Sequence, residues 1–371
     1  GNLVRLAARN LSRFPDQSAL VVALVAAACF LVIAVGAFRS QPIGRIPRLD
    51  GGDGGFALWA ESTQPIHYDL ATAEGRRESG FSNDEERLFD GARVISLRAR
   101  PGDDASCLNL YRPRRPRLLG VPEAMIRRGG FAWAAWRDAP EARENPWNLL
   151  LLDLGRDADG APRVPVVLEK NTANYALHLW KGVGQTFDID DGRGGVLRLV
   201  IVGLLDGSVF QGDLLVAESQ LVRYFPDAGR RVFLVECPPA RAAALASAFE
   251  RALGDFGLAV EATDQRLARF LAVQNTYLST FQSLGALGFI LGTLGLAAVE
   301  LRSIVRRRGE LALLRAVGFR RAALAALVLL ETTVLLIAGL AVGLLGAWVA
   351  VLPHLFGRGA RLPWAATGAM L

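Results

Sequence analysis

The chain has 371 residues, 51% of them hydrophobic and 21% charged, with a formal net charge of +6, a balance that excludes disorder. The charge is unevenly spread: residues 18–38 and 270–299 carry none and residues 322–352 carry only Glu331, whereas residues 39–269 hold 30 Arg+Lys against 32 Asp+Glu, a net of −2. This distribution argues against a soluble cytoplasmic enzyme and against nucleic-acid binding, and it predicts an α-helical membrane protein with one large water-exposed domain inserted between its spans.

In chain order, residues 1–16 place Leu3, Leu6, Ala7, Leu11 and Phe14 on one helix face, with Arg5, Arg9 and Arg13 around the rest. This suits a cytoplasmic interfacial amphipathic helix, and a solvated basic leader fits the same residues. A membrane-crossing helix needs roughly 20 apolar residues for a ~30 Å hydrocarbon core, and residues 17–38 supply a first span. Residues 39–269 alternate short apolar runs with Gly-, Pro- and Asp-rich turns. Strands are expected at 56–61, 93–98, 149–153, 164–169, 196–205, 214–217, 232–237 and 258–261. Helices are expected at 171–179, 218–224 and 239–256, so the inserted domain reads as α+β.

A stalk and second span follow at 270–300, where Gly285, Gly288, Gly292 and Gly295 share one face at a spacing that lets helices approach closely. Residues 301–321 form a short link holding Arg302, Arg306, Arg307, Arg308, Arg315, Arg320 and Arg321. The third span, 322–352, carries Gly339 and Gly343 as a second packing pair. Its Glu331 is expected to face a partner helix or the interface rather than lipid. Residues 353–371 read as an outer loop and the start of a fourth, truncated span, so the chain is expected to be a piece of a longer polypeptide. Short Arg-rich segments stay on the cytoplasmic side. The N-terminus and the 301–321 link are therefore placed inside and residues 39–269 outside. Two of the 42 Lys+Arg are lysine, read as coding bias.

No catalytic constellation emerges. The stretch Lys181-Gly182-Val183-Gly184-Gln185-Thr186 lacks the GxxxxGK[ST] pattern of a phosphate loop and reads as a turn. Asp188, Asp190 and Asp191 read as an acidic turn without an acid/base pairing, and His67, His178 and His354 are too dispersed for a metal site. Cys107 and Cys237 both fall in the outer domain, where a disulfide can persist. A Cys107–Cys237 bridge and two separate thiols both fit the sequence.

Residues 299–331, VELRSIVRRRGELALLRAVGFRRAALAALVLLE, resemble the cytoplasmic signature of FtsX/MacB-type ABC permeases. Arg308, Glu310, Leu311, Leu313, Leu314, Arg315, Ala316, Gly318, Arg320 and Arg321 occupy its positions. Residues 166–169, 183–187, 200–204 and 215–217 also fall in the order of that family's periplasmic core domain. The resemblance implies a bacterial inner-membrane permease subunit of the mechanotransmission kind, working as a homodimer or with a second permease core. It implies no bound cofactor in this chain. ATP would be used by a cytoplasmic ATPase partner docked on a coupling helix that includes Arg308, Glu310, Leu311, Leu314, Arg315, Gly318 and Phe319. A stalk at 264–279 would carry motion to the outer domain, acting on a lipoprotein, peptide or drug with or without a periplasmic partner. Two further readings stand beside it: a division-type regulator that activates a cell-wall hydrolase, and a membrane-anchored receptor without an ATPase.

Overall fold

The computed structural model describes residues 15–38, 44–103, 115–191, 194–306, 308–318 and 320–356. It divides into two compact units, Gln41–Leu271 on one side and Gly1–Ser40 with Ala272–Leu371 on the other.

The first unit is built on one ten-stranded mixed sheet. Its strands are β1 (Leu58–Ile66), β2 (Arg93–Arg100), β3 (Leu118–Val121), β4 (Trp133–Trp136), β5 (Arg163–Glu169), β6 (Thr186–Asp190), β7 (Val196–Leu205), β8 (Leu214–Ala217), β9 (Gly229–Glu236) and β10 (Leu258–Ala262). Their order is β10-β1-β9-β2-β3-β8-β5-β7-β4, with β6 also paired to β7. The β3–β8 and β5–β7 pairs are parallel and the others antiparallel.

Successive residues of a strand point to opposite faces, and here both faces are covered. Trp59, Leu97, Val167, Leu215 and Leu234, drawn from both halves of the sheet, meet in one central core. The alternate residues fill two further cores. Val166, Leu168, Leu214 and Val216 form one of these, and Leu58, Ala60, Phe233 and Val235 the other, beneath the helix Pro239–Leu253. This explains why β5, β7, β8 and β9 read as nearly continuous apolar runs rather than as alternating ones. A register slip opposite Val166 and Val167 shifts the alternation of β7, so that Leu199, Ile201 and then Leu204 face one core while Val202 and Leu205 face another.

Several local expectations are corrected. The expected strand at 149–153 begins inside the 3-10 helix Pro146–Leu151. Pro146 sets its first turn, the Asn145 side chain accepts the Trp147 amide at 3.1 Å, and Leu149 and Leu150 face the central core. The expected helix at 171–179 is a single wide turn, Thr172–Ala176. Asp188 and Asp190 lie on β6, where Phe187 and Ile189 point inward and the carboxylates outward. The runs at 214–217 and 218–224 coincide with β8 and the helix Glu218–Tyr224.

The second unit contains α1 (Pro15–Phe38), most of α2 (Thr263–Arg306), α3 (Arg308–Ala316) and α4 (Arg321–Phe356). Among the described residues, one stretch, the 29-residue Leu324–Leu352, is long and apolar enough to cross a membrane, and Ser18–Ala34 is a shorter apolar helix. The structure thus supports one of the three expected spans by length and composition. The expected interfacial helix lies outside the described residues up to Phe14, as does everything after Phe356.

Candidate coupling site

The residues expected to couple to an ATPase gather on α3 and the turn that ends it. Val317 donates its amide to the Leu313 carbonyl at 3.0 Å, and Gly318 donates to Arg315 at 3.1 Å. Gly318 then takes φ +102°, a conformation that L side chains rarely adopt, with open space where a Cβ would sit. A glycine here stops α3 and redirects the chain for backbone reasons alone. Arg308 and Arg315 are exposed. Glu310, Leu311 and Leu314 are helical, but their side chains lie outside the description, as does the whole of Phe319. Leu313 near the end of α3 and Val317 in the turn that follows are both exposed and four residues apart. The spacing was legible in the sequence, yet Val317 was not among the expected contacts.

Of the expected packing glycines, Gly339 and Gly343 lie where α4 meets α1. A Cβ on Gly339 would stand 2.7 Å from the Val25 Cβ, and one on Gly343 would stand 2.6 Å from the Ala26 carbonyl oxygen. Close helix approach therefore depends on both glycines. Gly285 faces Leu31 of α1 at an ordinary 3.6 Å. Gly288 and Gly295 face open space, so among the three described glycines of the expected seam Gly285 alone meets α1; the surroundings of Gly292 lie outside the description. Glu331 is buried on α4.

The first turn of α2 is set into the sheet unit by contacts that sequence spacing does not reveal. The Thr263 hydroxyl donates to the Phe56 carbonyl at 2.6 Å, and the Thr263 amide donates to Ala57 at 3.0 Å. The Asp264 carboxylate accepts the Gly44 amide at 2.8 Å. The Arg266 guanidinium stacks 3.9 Å over the Trp59 ring and donates to the Val209 carbonyl at 2.9 Å and to Glu261 at 2.8 Å. Close by, Arg117 bridges Glu61 and Asp213, reaching Asp213 Oδ2 at 2.9 Å. Burial lowers the Arg266 guanidinium from its ordinary value. Burial would also lower Arg117, but the charge of Asp213, its hydrogen bonds and then Glu61 outweigh it and hold Arg117 above its ordinary value. The result is a desolvated ionic clamp around the root of a long helix, with the geometry of an anchor.

The remaining polar clusters are structural. Arg198 draws Asp157, Asp159 and Asp188 together at 2.7, 3.0 and 2.8 Å. Hydrogen bonds from Arg198 hold the Asp157 and Asp188 carboxyls below their ordinary values. The glycine-rich turn before β6 spends its Gly184 amide on the Ile201 carbonyl at 2.8 Å. Among the described residues no group of three or more His, Cys, Asp or Glu could hold a metal. Cys237 is a free, half-buried thiol pushed up by burial. Cys107, the other half of the expected bridge, lies outside the described residues.

Residues 283–368 match the family model of the FtsX-like permease C-terminal domain. No curated protein sequence matches the chain at a significant level. Among solved structures, the extracellular domain of the noncanonic ABC-type transporter YknZ from Gram-positive bacteria aligns at 12% identity and TM-score 0.26, covering 56% of this chain and 98% of that one. The periplasmic region of MacB from Actinobacillus actinomycetemcomitans aligns at 12% identity and TM-score 0.27, covering 61% of this chain and 95% of that one. The stretch that matches this family model holds the end of α2 and all of α3 and α4.

Proposed function

We propose that this chain is the permease subunit of an ABC-type transporter of the mechanotransmission kind. Separate cytoplasmic ATPase subunits dock on α3, and their closure on ATP moves the spans. The Gln41–Leu271 unit lies outside the bacterial inner membrane and acts on an envelope substrate such as a lipoprotein, a peptide or a drug. A second copy or a second permease core completes the membrane part. The observation that carries this reading is the family match across α3 and the turn that ends it, a stretch that exposes Leu313 and Val317 together with Arg308 and Arg315. The clamp at Arg266 supports it, because a helix that transmits motion needs a fixed root.

Affinity purification of tagged full-length protein from membranes tests the reading. An ATP-binding subunit in near-equal amount, lost on Leu313→Asp or Leu314→Asp, is the expected result. A preparation holding a cell-wall hydrolase and no nucleotide-binding protein would favour the division-type regulator, and one holding neither would sink the transporter reading.

A further inference from the structure

The segment that leaves β5 presents an unusual surface. Its inward residues Ala173, Leu177 and Leu179 enter one of the three cores. Its outward residues are Lys170, Tyr175, His178, Trp180 and Lys181. Tyr175 and Trp180 are 59% and 63% exposed, with rings 5.7 Å apart and nearly perpendicular, and His178 lies against Trp180 at 6.3 Å. Trp59, Trp147, Phe210 and Phe233 of this unit are fully buried, and its other exposed aromatics, Tyr68 and Trp136, are less open at 42% and 39%.

This corner is held rigid from beneath. The buried Glu169 carboxylate accepts the Asn171 and Thr172 amides at 2.7 and 3.0 Å, and the Thr172 hydroxyl accepts the Gly212 amide at 2.8 Å. The backbone makes a wide turn at Thr172–Ala176 and then places His178 at φ +56°, a left-handed conformation uncommon outside glycine. Strained backbone of this kind persists only where surrounding contacts impose it, and it clusters at functional surfaces. The charge pattern is also distinctive. Lys170 and Lys181 are the two lysines among 42 Lys+Arg, and they bracket this segment. Both are exposed and, among the described residues, neither forms an ion pair, which leaves their charges available to a partner.

We propose that the Tyr175–Trp180 corner is a docking surface for an extracytoplasmic protein that presents Asp and Glu side chains around an apolar recess. Trp and Tyr dominate the centres of protein interfaces, where a few pre-ordered aromatics carry most of the affinity. Lysine is a mobile, strongly hydrated point charge suited to a rim that steers an acidic partner rather than to a buried pair. The proposal takes the outer location of the unit from the reading above and does not require an ATPase.

Location is checked first, by labelling Tyr175→Cys in whole cells with a membrane-impermeant maleimide against wild type. Labelling confirms the address on which the surface depends, and its absence overturns the address and the surface together. With the address secured, a benzophenone photo-crosslinker at position 175 or 180 of the full-length chain should give a protein adduct whose cross-linked peptide is rich in Asp and Glu. Binding of that purified protein to the detergent-solubilised chain should weaken about 30-fold on Trp180→Ala. In Lys170→Gln/Lys181→Gln the association rate should fall several-fold and lose its salt dependence, with dissociation little changed. No protein adduct, an adduct to glycan or lipid alone, or an affinity unmoved by Trp180→Ala would each overturn the proposal.

Discussion

The two ends of α2 are built on opposite principles. At its start, Thr263, Asp264 and Arg266 are bound to Phe56, Ala57, Gly44, Trp59 and Val209, partners up to about 220 residues away in sequence. At its end, the chain passes into α3 and a glycine turn whose bonds span three or four residues, with Leu313 and Val317 left exposed. The difference teaches that the root of α2 is fixed by long-range contacts, whereas the proposed docking element is shaped by local ones. Only the second kind leaves a compact signature.

The sharpest way to break this contrast is at the root. Arg117→Ala would leave the carboxylates of Asp213, 3% exposed, and Glu61 without their cation. Removing one partner of a buried pair costs about 3–5 kcal/mol, so the thermal midpoint of the full chain should fall by roughly 6–20 °C. A loss too small to resolve would show that the clamp is decorative.

Glu169 offers a second test on the same unit. Desolvation raises its carboxyl to about 7, against backbone hydrogen bonds from Thr172 and Asn171 that lower it. With a folded value above the unfolded one of about 4.3, the folded state binds the proton more tightly. Its stabilising contribution is full below the unfolded value and is lost as pH rises through about 7. Wild type should therefore lose on the order of 2–3 kcal/mol between about pH 4 and 8 that Glu169→Gln does not. Parallel denaturant titrations of the two proteins would read the difference, and coincident pH profiles would refute it.

In the helical unit the expected effects are smaller. Gly343→Leu should destabilise by about 1–3 kcal/mol through overpacking against Ala26 and Cys29. Gly288→Leu, with open space around it, should change stability by less than about 0.5 kcal/mol. Thermal scans in one detergent compare them, and equal losses would dissolve the distinction between a packed and an open glycine. Gly318→Ala strains a left-handed turn by about 1 kcal/mol. It should lower stimulation of the partner ATPase while leaving the amount of membrane-inserted protein unchanged. Full stimulation would detach α3 from coupling.

Legibility followed the same division. Strands β7 and β8 and the helix Glu218–Tyr224 were readable because long apolar runs and a clear turn bound them. β3, with four residues, and β4, with Trp133 and Trp136 alternating at a sheet edge, were too short to stand out from loops. The 149–153 run was misread because leucines buried in a 3-10 helix look like leucines buried in a strand. The segment that matches the family model was conspicuous because glycine, arginine and leucine sit within a dozen positions of one another. The clamp was not, because Trp59, Glu61, Arg117, Asp213 and Arg266 carry no mutual spacing until the sheet brings them together.

The central core has a consequence for how the sheet unit comes apart. Val167 and Leu215 from one half of the sheet and Trp59 and Leu234 from the other fill the same interior. Neither half can expose its inner face without uncovering the other's, so the two halves do not form separate foldons. Amides of β5, β8 and β9 should exchange with solvent at one common opening free energy, and a protease that nicks one half should release both.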